Sequence, residues 1–176
     1  LVKILEQEDT VLSFRQHWLS QGKGQGDRAY TCIGKPECPV CKLGDRSAMS
    51  VIVNVLNFSV EGEPRNEYLQ IGKRAWDSLT EQSAGDLEKG FWSVNKTGKG
   101  TSSQTNFRPV KQRDIKEDWP EVLEDIDLRD IPAAIEDAKE NLFGSDVVQV
   151  VNKKQLQEVS KYLADDEDDD DDDDDD

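Results

Sequence analysis

Four side chains constrain this chain more than any other feature. Its three cysteines and single histidine all lie between residues 17 and 41, in the order His17-x14-Cys32-x5-Cys38-x2-Cys41. Two thiols separated by two residues can point at one centre from a tight knuckle. A hairpin can fold the more distant His17 and Cys32 back to complete a tetrahedron, and Zn²⁺ favours such closed Cys₃His sets. Pro36 and Pro39 stiffen the turn around Cys38-Pro39-Val40-Cys41. A closed set of four leaves no position for catalysis, so the expectation is a structural Zn²⁺ held by His17, Cys32, Cys38 and Cys41. Other readings are weaker. A redox pair at Cys38 and Cys41 would want a βαβ context that is not evident, and would leave Cys32 and His17 unexplained. A disulfide is disfavoured by the odd cysteine count and by the lack of an export signal at the start of the chain.

Around this constellation the patterning is mainly that of strands. Thr10 to Leu19 and Val51 to Val60 alternate apolar with polar residues and carry β-branched and aromatic types that fit a pleated surface. Between them, the glycines of residues 21–27 predict a turn, with Ala29 to Cys32 as a short returning strand. Glu67 to Ile71 reads as another strand, as do Gly90 to Lys96 and Asn106 to Arg113, with a polar loop over 98–103 and Pro109 suited to a sheet edge. Ala75, Trp76 and Leu79 have the spacing of one or two helical turns, with Trp76 packed inward. After Trp119-Pro120 the chain becomes acidic and helix-compatible. Helices are predicted from Ala133 to Leu142, after Pro132, and from Asn152 to Leu163. No run of apolar residues reaches the ~18 needed for a membrane span.

Net charge is −16, but residues 165–176 are all acidic and supply −12 of it. The middle of the chain has the opposite sign. Residues 89–116 hold seven basic side chains, Lys89, Lys96, Lys99, Arg108, Lys111, Arg113 and Lys116, against the single acid Asp114. Phe91, Trp92 and Phe107 are interleaved with them. Cations that track phosphates and flat rings that receive bases are what a single-strand binder uses. Tyr30, Phe58, Tyr68 and Trp18 are further stacking candidates, and which rings are wet and which are core stays open. The plainer reading of the basic run is a solvated face. The terminal run is too charged to collapse and reads as a disordered tail able to compete for a cationic groove.

These residues resemble a known family. His17 through Tyr30-Thr31-Cys32 to Cys38-Pro39-Val40-Cys41, then Val51 to Val55, Tyr68 to Asp77 with its Gly72-Lys73-Arg74-Ala75-Trp76-Asp77 signature, and the Lys96 to Arg113 region are similar to the T4-type bacteriophage single-stranded DNA-binding proteins, over roughly residues 10–115. The resemblance implies a mainly β fold with some α: an OB-fold, a five-stranded Greek-key barrel, with an inserted zinc-binding subdomain and C-terminal helices. The expected division is a core over 1–116 that includes the zinc subdomain at about 15–45, an acidic helical extension over 117–164, and the tail over 165–176. The implied phosphate-neutralising residues are Lys73, Arg74, Lys96, Lys99, Arg108, Lys111 and Arg113, with stacking rings at Tyr30, Phe58, Tyr68, Trp92 and Phe107. The implied role is sequence-independent coating of single-stranded DNA in phage replication, recombination and repair, without catalytic turnover. That work would take place in the cytoplasm of the infected host, with self-association along the strand and replication and recombination proteins met through the acidic tail. The alternative is a zinc-stabilised protein-interaction module whose tail mimics DNA.

Overall fold

A computed structural model of the chain describes residues 1–20, 27–59, 63–98, 103–120, 122, 127 and 129–165. The architecture is mixed, with antiparallel strands and helices. In order, the strands are β1 (Val2–Ile4), β2 (Leu12–Ser20), β3 (Asp27–Thr31), β4 (Ala48–Asn57), β5 (Arg65–Gly72), β6 (Phe91–Thr97) and β7 (Gln104–Val110). The helices are α1 (Pro39–Lys42), α2 (Lys73–Ser83), α3 (Ile115–Asp118), α4 (Ile131–Glu140) and α5 (Lys153–Asp165). None is long and apolar enough to cross a membrane. The chain divides into two compact units, one formed by residues 1–13 and 50–147, the other by 14–49 and 148–176.

In the first unit the strands pair antiparallel in the order β5-β4-β1-β6-β7. β4 is an interior strand in which Val51, Ile52, Val53, Val55 and Leu56 are all buried, as a strand covered on both faces requires. One face carries Leu56 and Phe58 and is covered by Ile115, Val122, Ile131 and Ala138 from the segment after β7. Phe58 and Phe91 meet edge-on there, with ring centroids 5.6 Å apart. α2 runs three turns rather than one or two. It buries Trp76, Leu79 and Ser83 along one stripe and ends where Ala84 and Gly85 both turn to positive φ. β1 escapes the alternation argument because three residues are too few to show a period.

In the second unit β2 and β3 form a hairpin, with His17 opposite Tyr30 and Leu19 opposite Arg28. The glycine turn expected over 21–27 lies outside the described residues except for Asp27, which opens β3. The hairpin packs on α1 and α5. Leu19, Cys38, Val40, Cys41, Val151 and Leu156 form its core, with Tyr30, Cys32 and Val159 against them. The stretch 117–164, expected as one extension, is thus divided. Ile131 and Ala138 bury α4 in the first unit, whereas Val151 and Leu156 commit α5 to the second. Beyond Asp165 the acidic tail lies outside the described residues.

Candidate metal centre and cationic strands

The metal-ligand set is assembled from three local structures. β2 alternation sends His17 and Leu19 to the buried face while Trp18 points away, 53% exposed. Cys32 follows the last residue of β3, and its amide donates to the Arg15 carbonyl at 2.8 Å, which keeps the hairpin closed at that end. The knuckle then turns at Gly34, whose φ of +88° suits a residue without a side chain. That turn directs the Gly34 amide at the Cys32 sulfur, 3.4 Å away. Cys38 caps the short helix α1, Pro39 occupies its first turn, and Cys41 lies on its inner side.

The four side chains expected to bind metal come together. One ligand atom from each lies within 4.8 Å of all the others. The Cys32 and Cys41 sulfurs are 3.6 Å apart, and Nε2 of His17 is 3.4 Å from the Cys38 sulfur and 3.5 Å from the Cys41 sulfur. A tetrahedron with Zn–S of about 2.3 Å and Zn–N of about 2.0 Å has edges of about 3.8 Å between sulfurs and about 3.5 Å from sulfur to nitrogen. The donor set is therefore compatible with zinc in kind, number and spacing, and His17 is fully buried, so the ring is held rather than free to leave.

Electrostatics inside the cluster are unfavourable without a cation. Burial, together with the neighbouring Cys32 and Cys38 sulfurs, pushes the Cys41 thiol up to about 12. Burial also acts to raise Cys32. Hydrogen bonds from the Gly34 amide and from Cys41, His17 and Ser47 outweigh it and bring that thiol down to about 7. One thiol ionises readily and its neighbour resists, as expected when like charges share a small space. A divalent cation would remove the conflict by deprotonating the ligands outright.

Sequence reasoning did not find the partner on the other side of the histidine. Nδ1 of His17 lies 2.5 Å from the Asp45 carboxylate. An aspartate just beyond the CxxC helix was the available signal, but without the fold nothing distinguished it from other surface acids.

The residues expected to contact nucleic acid sort differently. Phe58, Trp92 and Phe107 are buried, at 4%, 1% and 5% exposure, and so are not stacking platforms. Phe58 is covered by the segment after β7, and Trp92 and Phe107 are brought together by the register of the hairpin. Trp92, Val94 and Phe107 point to one side of the β6–β7 hairpin, where the Trp92 and Phe107 rings meet edge-on and the indole N–H donates to the Leu87 carbonyl. Tyr68 does reach solvent, at 40%, with Phe143 edge-on beneath it at 5.2 Å. Tyr30 is half-buried, with the Arg28 guanidinium 5.7 Å over its ring.

Lys73, Arg74, Lys96, Arg108, Lys111 and Arg113 are all exposed. Lys73 pairs with Asp77 and Arg113 with Asp114. Among the described residues no ion pair engages Arg74, Lys96, Arg108 or Lys111. Lys99 lies outside the described residues. Towards the loop end of the hairpin Arg108 shares its face with Ser93, Asn95, Thr97, Gln104 and Asn106, where the Asn106 amide donates to Thr97 at 3.2 Å, and the buried Phe91 and Val110 continue that face at the other end.

In comparisons with known proteins, the chain matches no protein family, no curated protein and no solved structure.

Proposed function

We propose that this chain binds single-stranded DNA without regard to sequence, as a zinc-braced member of the T4-type phage family it resembles. In this reading the antiparallel strands of the first unit form an OB-like barrel and the second unit is the inserted metal lobe. The observation that carries the proposal is the sorting of the β6–β7 hairpin. Its rings are buried, while Lys96 on one face and Arg108 on the other reach solvent without an ion pair among the described residues, beside the exposed amides of Asn95, Gln104 and Asn106. A polyanion with flexible spacing fits such a hairpin better than a compact anion does, because the charges are distributed along strands rather than gathered at one point.

With three of the expected rings in the core, phosphate neutralisation carries more of the binding and stacking falls mainly to Tyr68. His17, Cys32, Cys38 and Cys41 would hold a Zn²⁺ that braces the hairpin against the knuckle, with no catalytic turnover in this reading. The acidic tail meets replication and recombination proteins, and the setting is the infected host's cytoplasm.

Titration of the protein with poly(dT) across a salt series tests this reading. If ~4 phosphates are neutralised, log K falls against log salt with a slope near roughly −3. Tyr68→Ala should cost about 1–3 kcal/mol of binding. Affinity that is flat with salt, or equal for duplex and single strand, would overturn it. The protein-interaction alternative predicts no oligonucleotide binding at any salt concentration.

A further inference from the structure

We propose that Asp45 is a positioning residue for the metal centre. It accepts a hydrogen bond from Nδ1 of His17 and thereby fixes the tautomer that aims the Nε2 lone pair at the three thiols. The inference rests on the zinc reading above and extends it to a residue that is not a ligand. Imidazole has two nitrogens, and each can serve only one purpose here. Nε2 faces the Cys38 and Cys41 sulfurs at 3.4 and 3.5 Å, while Nδ1 faces Asp45 Oδ2 at 2.5 Å. A proton on Nδ1 satisfies the carboxylate and leaves Nε2 free to bind metal; a proton on Nε2 would block the metal and set two acceptors against each other. Metal-bound histidines commonly use a carboxylate in this way.

The fold holds Asp45 in place from both sides. α1 ends at Lys42 with Leu43 as its C-cap, and Gly44, with φ +93° and its amide donating to the Cys41 carbonyl at 3.2 Å, turns the chain so that Asp45 follows directly. Two residues further on, Ser47 is clamped to β2 by Arg15. The Arg15 Nε–H donates to the Ser47 hydroxyl at 2.9 Å, and its guanidinium also donates to the Ser47 carbonyl. Arg15 lies two residues before His17 and so shares its side of the strand. The clamp therefore registers the Asp45 loop against the strand that carries the histidine. His17 is fully buried whereas the Asp45 side chain is 35% exposed, so the carboxylate, like the half-buried Cys32, lies where the centre meets solvent.

The test compares wild type, Asp45→Ala, Asp45→Asn and Asp45→Leu by zinc competition against a chelator, with the His17 imidazole followed by ¹⁵N NMR in the zinc-loaded proteins. Asp45→Ala should weaken zinc binding 10- to 100-fold. Asp45→Asn, whose amide oxygen can accept the same N–H, should recover most of that loss, whereas Asp45→Leu, close in size but without an acceptor, should not. In zinc-loaded wild type the Nδ1 proton should appear as a downfield resonance in slow exchange with water, a readout that does not depend on any variant folding. Wild-type affinity in Asp45→Ala, an Asn variant as weak as Ala, or an Nδ1 proton lost to rapid exchange would each overturn the role of Asp45 while leaving the zinc site standing. A wild-type protein that takes up no zinc would overturn both.

Discussion

Asn54 does inside β4 what a further strand would otherwise do. Its backbone and side-chain N–H groups both donate to Glu6 Oε2 at 2.8 Å. Its amide N–H also donates to the Phe143 carbonyl at 3.1 Å, and its Oδ1 accepts from the Phe143 N–H at 2.8 Å. The side chain copies a peptide group and ties the end of the α4 segment to the sheet. Asn54→Ala leaves the Glu6 carboxylate and the Phe143 peptide short of partners in a buried place, so it should cost about 2–4 kcal/mol, read as a lower denaturant midpoint at unchanged slope. Lys139 offers a pH test. Its hydrogen bond to Glu88, at 2.5 Å, raises the amine above its ordinary value of 10.5. A raised folded-state pKa stabilises below the unfolded value and loses that contribution as pH climbs through the folded one. A Lys139/Glu88 double-mutant cycle should therefore show coupling of about 0.2–1 kcal/mol at neutral pH that vanishes in the strongly alkaline range; coupling unchanged at high pH would contradict the assignment.

At the scale of elements, the β6–β7 hairpin sets a buried ring and an exposed cation one residue apart. Phe107 is core and Arg108 is solvent-facing. Phe107→Ala should destabilise the fold by about 3–5 kcal/mol. Arg108→Ala should leave the melting temperature nearly unchanged, weaken single-strand binding, and reduce the magnitude of the salt slope by roughly 0.7. A variant pair with these effects exchanged would mean that the strand register is shifted by one. The docking of α5 depends on a different element, the cysteine knuckle. Val151 and Leu156 pack against Cys38, Val40 and Cys41, Lys153 pairs with Glu37 at 2.9 Å, and the Thr31 hydroxyl donates to the Gln149 carbonyl at 2.5 Å.

At the scale of the molecule, two units with separate cores should respond separately to metal. The ligands and the seat of α5 both belong to the unit built from 14–49 and 148 onward. Chelation should collapse hydrogen-exchange protection in β2, β3 and α5 while β4 and β6 keep theirs, because folding and ligand binding are linked only where the ligands are. Uniform loss of protection across both units would show a single cooperative block instead. Affinity for the metal should fall as pH falls, since protons compete for the thiolates, most strongly at Cys41, whose thiol is pushed up to about 12.

Local chemistry alone determined much of this protein. Spacing picked out the four side chains of the Cys₃His cluster, because a CxxC knuckle and a hairpin are short-range structures; alternation and turn residues located six of the seven strands among the described residues, and proline, glycine and one-sided apolar spacing located the two longer C-terminal helices. Alternation says only that neighbours face opposite ways, not which way is inward. Tertiary packing decided that Phe58, Trp92 and Phe107 are core while Trp18 and Tyr68 meet solvent, since burial depends on what covers a face. The same limit hid Asp45 and the division of the acidic extension between two cores. Both are contacts between residues distant in sequence, and no local pattern encodes which distant surface a side chain will find.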